Sequence, residues 1–164
     1  KWVEKELRYQ LRIDYYLYSR EYCYKGIPKK ILVEEYVEPE SDKGLIDYKI
    51  FCFDGVPRFL FVATDRNNKE RGGTKFDFFD IDFNRIPVRQ YYPNSNYDIP
   101  KPKDFDKMLE YARKLSENLK TVRVDLYNNN GRILFGEMTF YHFGGLKKFD
   151  PEEYDYLFGT YINL

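Results

Sequence analysis

The sequence lacks net charge. Its 27 Lys and Arg residues are offset by 27 Asp and Glu, so no global field draws it to nucleic acid or to an anionic membrane. Cysteine is scarce: Cys23 and Cys52 stand far apart and form neither a CxxC nor a Cys/His metal pattern. Cys52 lies in an apolar run and reads as a buried thiol, which fits a reducing, cytoplasmic setting. No apolar run approaches membrane-spanning length and no signal peptide is visible, so no integral membrane segment is expected. The single histidine, His142, leaves no Ser/His/Asp or Cys/His arrangement to supply a protein nucleophile. Internal repeats, low-complexity segments and regular βαβ alternation are absent too. The chain opens on Lys1-Trp2 and reads as a fragment or a processed piece.

Aromatic side chains are plentiful, with 17 Tyr and 14 Phe. They supply a core despite few Leu and Val and argue against disorder. The tyrosines serve either as core residues with a polar tip or as the lining of a sugar-binding groove. At 164 residues, positions 1–164 are expected to form one domain.

Residues 2 to 22 carry Leu7, Leu11, Tyr15, Tyr18 and Tyr22 at helical spacing, and Gly26-Ile27-Pro28 ends that helix. Ile31–Val37 reads as a strand, followed by an acidic turn at Glu38–Asp42. Leu45–Asp54 and Arg58–Thr64 are strong strands around the turn Asp54-Gly55-Val56-Pro57. Lys75–Asp82 is a third β-like run. Residues 83–102, with four prolines, read as a long connection. Asp104–Leu119 is the clearest helix, with Phe105, Met108, Leu109, Ala112, Leu115 and Leu119 in its apolar stripe. A hairpin over 121–140 and a short helix from Pro151 complete the chain. Strands, helix, strands, helix without regular alternation predict an α+β domain with a mainly antiparallel sheet and flanking helices.

The hairpin carries the chemistry. Val122, Val124 and Leu126 alternate with Arg123, Asp125 and Tyr127, and Ile133 to Thr139 alternate again. A two-residue loop at Asn130-Gly131 would pair Asp125 with Gly136 and turn Glu137 to the opposite face. A three-residue loop, Asn129-Asn130-Gly131, pairs Asn128 with Arg132 and sets Arg123 against Glu137, with Asp125 diagonal to it. The three-residue register is expected, because glycine then holds the left-handed position. These charges either face water or hold a cation between Asp125 and Glu137. Asp47 and Lys49 share a face of an earlier strand. Lysine and arginine beside two carboxylates describe a phosphate-transfer site.

Other residues have competing readings. His142 is either a substrate contact or proton shuttle, or a satisfied structural histidine. Asp65-Arg66 either grips an anionic acceptor or forms an exposed loop salt bridge. Arg71-Gly-Gly-Thr lacks the strand-to-helix context of a phosphate loop. Asp80-Ile81-Asp82 is the nearest approach to the Asp-x-Asp of a sugar-nucleotide transferase and reads equally well as a strand edge.

The segments ILVEEYV (31–37), LIDYKIFCFDG (45–55), VRVDLYNNNGRILFGEMTF (122–140) and FDPEEYDYLFG (149–159) resemble the TupA-like group of the ATP-grasp superfamily, linked to teichuronopeptide and other cell-surface polysaccharide biosynthesis. The resemblance implies the C-terminal lobe of an ATP-grasp fold, with ATP and Mg²⁺ as cofactors. It assigns Glu34 to the adenine amino edge, and the backbone of Glu35, Tyr36 and Val37 to the rest of the ring. Asp125 and Glu137 match the metal carboxylates. Thr139 stands where an Asn is usual, which leaves a coordination position to water. Arg123 matches the arginine that meets phosphate, and Lys49 lies on the nucleotide side of the sheet. The implied reaction joins a carboxylate to an amine through an acyl phosphate, on a small-molecule or glycan substrate. The smaller lobe of such enzymes has no counterpart ahead of residue 31 and is expected elsewhere in a longer protein. A glycosyltransferase using a sugar nucleotide and a non-catalytic glycan-binding module are the competing functions.

Overall fold

The computed structural model describes residues 1–39, 44–66 and 72–163. Contacts divide the chain into two compact units, Lys1–Val37 and Glu38–Leu164.

The first unit is helical at its start. The expected single helix over residues 2 to 22 is replaced by α1 (Trp2–Gln10), α2 (Tyr15–Ser19) and a 3-10 turn at Tyr22–Tyr24. Asp14 breaks the run: its backbone is extended, and its side chain accepts from the Tyr16 N–H at 3.1 Å, capping α2. Neither helix buries a side chain, so the Leu and Tyr stripe has no core to meet. The expected strand at 31–37 is also absent; these residues form neither helix nor strand, and 31–36 are exposed. Without a paired strand beside it, an apolar run gains nothing from extension.

The second unit is built on one antiparallel sheet of five strands, ordered β3-β2-β1-β4-β5. They are β1 (Asp47–Phe53), β2 (Val56–Thr64), β3 (Lys75–Asp80), β4 (Thr121–Asn129) and β5 (Arg132–Thr139). Residues Asp54 and Gly55 join β1 to β2 with φ of 47° and 75°, the two left-handed residues of a tight hairpin turn. Helix α3 (Phe105–Leu115) covers one face, and α4 (Glu153–Gly159) contributes to the other. This is the expected α+β architecture.

Strand alternation sorts the side chains. Tyr48, Ile50 and Cys52 of β1, Leu60 and Val62 of β2, and Val122, Val124 and Leu126 of β4 point to one face. Phe105, Met108 and Ala112, spaced for one side of a helix, seal it from α3. Burying side chains of this size contributes roughly 1.5–3 kcal/mol each. Cys52 is fully buried among them, and burial pushes its thiol up to about 11. The expected extension of α3 to Leu119 stops at Ser116, whose N–H bonds to the Ala112 carbonyl at 3.0 Å, and Asn118 then turns left-handed at φ 62°.

The opposite face carries phenylalanines: Phe51, Phe53, Phe59, Phe61, Phe76 and Phe78 pack with Val88 and with Phe158 of α4. Phe59 and Phe158 stack at 3.7 Å between centroids. The connection 83–102 is pinned rather than loose. Buried Asp77 pairs with Arg85 Nη1 at 3.2 Å and accepts from the Ser95 N–H at 3.0 Å, and Arg89 bridges Asp150. Of the motifs singled out in the sequence, residues 40–42 of the acidic turn and Arg71 of Arg71-Gly-Gly-Thr lie outside the described residues.

Candidate functional site

The phenylalanine face changes character along the strands. Toward one end of β1 it presents Phe51 and Phe53; toward the other, Lys49 and Asp47, all on the same side by the period of two. Antiparallel pairing sets Lys49 against Asp125 of β4, Asp47 against Tyr127 and Phe51 against Arg123. Charges thus stand beside one another because three strands are in fixed register, not because loops gather them.

The β4–β5 hairpin departs from the expected register. Its loop is the two-residue Asn130-Gly131, with Asn129 opposite Arg132. Both loop residues are left-handed, at φ 51° and 94°, and glycine carries the larger value without steric cost. Continued without interruption, that ladder would place Glu137 on the α3 face. It does not continue: the register shifts at Gly136, and Asp125 then faces Glu137, Val124 faces Met138, and Arg123 faces Thr139. Gly136 is the extra residue of a β-bulge. A Cβ there would lie 3.0 Å from the Asp125 carbonyl oxygen and 3.2 Å from the Tyr127 ring, so glycine permits the close approach.

The result is a charge array on a sheet. Arg123 grips Asp125 with two parallel bonds, Nε to Oδ1 at 2.7 Å and Nη2 to Oδ2 at 2.8 Å. Its Nη2 also meets Thr139 Oγ1 at 2.8 Å and Glu137 Oε1 at 3.2 Å. The Lys49 ammonium donates to Asp125 Oδ2 and lies 2.8 Å from Asp47 Oδ2, with Glu137 Oε1 at 4.0 Å. Arg66 Nη2 reaches Asp47 Oδ2 at 3.0 Å. Three cations therefore face three carboxylates: Lys49, Arg66 and Arg123 against Asp47, Asp125 and Glu137. Asp47, Lys49, Arg123 and Asp125 are all buried, whereas the Glu137 side chain is 62% exposed. Asp47 Oδ1 is buried with no hydrogen-bond partner among the described residues.

His142 follows β5 in a 3-10 turn. Its Nδ1 lies 2.5 Å from Arg123 Nη1 and its Nε2 lies 2.6 Å from Gln90 Oε1. An arginine can only donate, so Nδ1 is the acceptor and Nε2–H donates to Gln90. Burial, with the Arg123 charge beside it, holds the imidazole down at about 3. Protein groups engage both ring nitrogens, which fits the satisfied structural histidine rather than a proton shuttle.

The sequence-based set divides. Lys49, Arg66, Arg123, Asp125, Glu137, Thr139 and His142 come together on one face of the second unit. Glu34, Glu35 and Tyr36 are exposed and Val37 is half-buried in the first unit, so the adenine assignment has open backbone but no strand. Asp80 spends its carboxylate on its own turn, accepting from the Asn84 N–H at 2.8 Å, the Asp82 N–H at 3.0 Å and Asn84 Nδ2 at 3.0 Å, which favours the strand-edge reading of Asp80-Ile81-Asp82. Sequence reasoning missed Gln90 and Gly136 as parts of the site. Glycine interrupting an alternating strand is a recognisable bulge signal; Gln90, within a proline-rich connection, carries none.

The oxygen donors Asp125, Glu137 and Thr139 are the hard ligands that Mg²⁺ takes. Among the described residues no cluster of three or more His, Cys, Asp or Glu is arranged to hold a metal. Among the described residues no helix is long and apolar enough to cross a membrane. The family described as TupA-like ATPgrasp matches residues 1–163, and the chain belongs to it. No curated protein and no solved structure matches the chain.

Proposed function

We propose that this member of the TupA-like ATP-grasp family is an ATP-dependent carboxylate–amine ligase acting in the cytoplasm on a small-molecule or glycan substrate of cell-surface polysaccharide biosynthesis. The observation that carries the reading is the buried, charge-balanced array in which Asp125 faces Glu137 across strands beside Lys49 and Arg123.

Charge balance explains how such a site would work. Three cations are already matched by three carboxylates, so a phosphate chain entering alone would add uncompensated negative charge. A nucleotide arriving with Mg²⁺ adds far less. Lys49 and Arg123 would turn part of their donor capacity from Asp125 to phosphate oxygens, and Asp125 would be one of the groups to hold the cation. Glu137, mostly exposed, would hold the same cation, with the Thr139 hydroxyl beside it. Bound Mg²⁺ supplies neutralisation of the phosphate charge. The rigid strands supply the rest: once that exchange of partners is made, Lys49 and Arg123 stand in fixed register where charge builds on the transferred phosphoryl group. A substrate carboxylate then takes the γ-phosphoryl group, and an amine displaces phosphate to leave an amide. Glu34 and the backbone of Glu35, Tyr36 and Val37 are proposed to hold adenine; their backbone is committed to no helix or strand.

Glu137→Gln tests the reading cleanly, because the side chain is exposed and its loss should change stability by less than about 0.5 kcal/mol. Calorimetric titration with Mg²⁺-ADP should show binding by the parent chain, weakened by about tenfold or more in the variant. Equal affinity in both would remove Glu137 from the metal set, and a preference for Mg²⁺-UDP-sugar over Mg²⁺-ADP would replace the ligase with a transferase.

A further inference from the structure

We propose that His142 is a positioning residue for Arg123, accepting from the guanidinium through Nδ1 while Gln90 fixes the ring. The proposal rests on the reading of Arg123 as a phosphate-facing cation. The fork to Asp125 holds Nε and Nη2, and Nη2 also meets Thr139 and Glu137, so all these contacts fall on Nε and Nη2 and none of them holds Nη1. His142 meets the remaining nitrogen, Nη1, at 2.5 Å. The acceptor's chemistry matters. A third carboxylate would hold Nη1 equally well but would cancel the charge that an anionic substrate needs. A neutral imidazole satisfies one N–H and leaves the charge in place. Nη1 carries a second N–H besides the one directed at His142, a donor suited to a phosphate oxygen.

The histidine is itself fixed. Gln90, buried in the strap 83–102, donates from Nε2 to the Lys147 carbonyl at 2.8 Å. That bond orients its amide oxygen toward His142 Nε2, 2.6 Å away, which sets the tautomer with Nδ1 bare. Phe51 packs edge-on to the ring at 5.0 Å, and Phe143 lies at 4.5 Å. Phe61 meets both the ring, at 5.6 Å, and the Arg123 guanidinium, at 5.8 Å. The apparently loose connection therefore reaches the site through one glutamine.

The test uses the whole chain in two arms. Without ligand, ¹⁵N NMR of its single histidine should show a bare Nδ1 and a protonated Nε2, with slow rotation of the Arg123 guanidinium. His142→Phe keeps the ring packing but not the acceptor and should speed that rotation; His142→Asn, with an oxygen near the Nδ1 position, should restore it. A protonated Nδ1, or rotation in His142→Phe as slow as in the parent, overturns the proposal. With Mg²⁺-ADP, His142→Phe should bind about tenfold more weakly and His142→Asn within about threefold of the parent. In an Arg123→Met background, His142→Phe should add nothing further; an additive loss overturns the coupling. Failure of the parent chain to bind Mg²⁺-ADP would count against the phosphate-site reading, while the ligand-free arm would still decide whether His142 holds Arg123.

Discussion

The two faces of the sheet bury their side chains by different means. The face under α3 is apolar where the helix covers β1 and β4, with one buried ion pair, Asp77 with Arg85, out on β3, and beneath the helix any residue of suitable volume would serve. The other face changes within β1, from Phe51 and Phe53 to Lys49 and Asp47. Its buried charges survive only as mutual partners, since an isolated ion there would cost several kcal/mol. The contrast teaches where function can reside: the α3 face needs filling, while the charged end needs particular atoms at particular distances.

The sharpest way to break the contrast is Asp125→Ala. It removes the carboxylate shared by two buried cations and should cost about 3–5 kcal/mol, read as a lowered denaturant midpoint. A midpoint unchanged from the parent would mean that pairing does not hold this end together. On the other face, Met108→Ala in α3, at a fully buried position, should cost about 2–5 kcal/mol through the cavity left behind, yet leave Mg²⁺-ADP affinity where it was. A loss of nucleotide binding would show the two faces to be coupled. Gly136→Ala forces a Cβ against the Asp125 carbonyl and should cost about 1–3 kcal/mol. It should also loosen the Asp125–Glu137 pairing and weaken metal-nucleotide binding; an undisturbed crystal-structure register would show the bulge to be tolerant. The most gradual effect is one of pH, spread over several units rather than delivered by one substitution. His142 is held at about 3 in the folded chain against 6.5 unperturbed, so the unfolded chain binds its proton first as pH falls. Stability from this group is complete above about 6.5 and declines toward pH 3, by at most about 1.4 kcal/mol per pH unit. Comparing denaturation across that window, His142→Phe should show a shallower slope than the parent.

Much of the second unit was legible from sequence because its signals were local. Alternation marked β1, β2 and β4, glycine marked the turns, and an apolar stripe marked α3. The first unit was not, because helical spacing in residues 2 to 22 and an apolar run at 31–37 imply burial against something, and these residues bury almost nothing. At the site, Arg123, Asp125, Glu137 and Thr139 were expected on one face and are there, although the loop has two residues rather than three. A three-residue loop pairs Arg123 with Glu137; the two-residue loop with its bulge pairs Asp125 with Glu137. The two registers differ by an even step, so both keep the same side chains together. Gln90 and the pairing of Arg66 with Asp47 depend on long-range packing that no local pattern encodes.

Gly136 also changes how length should be counted in this hairpin. It is the surplus residue on β5, so a chain lacking it would close into an uninterrupted ladder with Glu137 still opposite Asp125. Deleting a residue from within the acidic pair would preserve the pair, whereas substituting that same residue would disturb it. The spacing in sequence between Asp125 and Glu137 is therefore a poor ruler for this site: hairpins one residue shorter can present the same two carboxylates, and an alignment that penalises the gap would miss them.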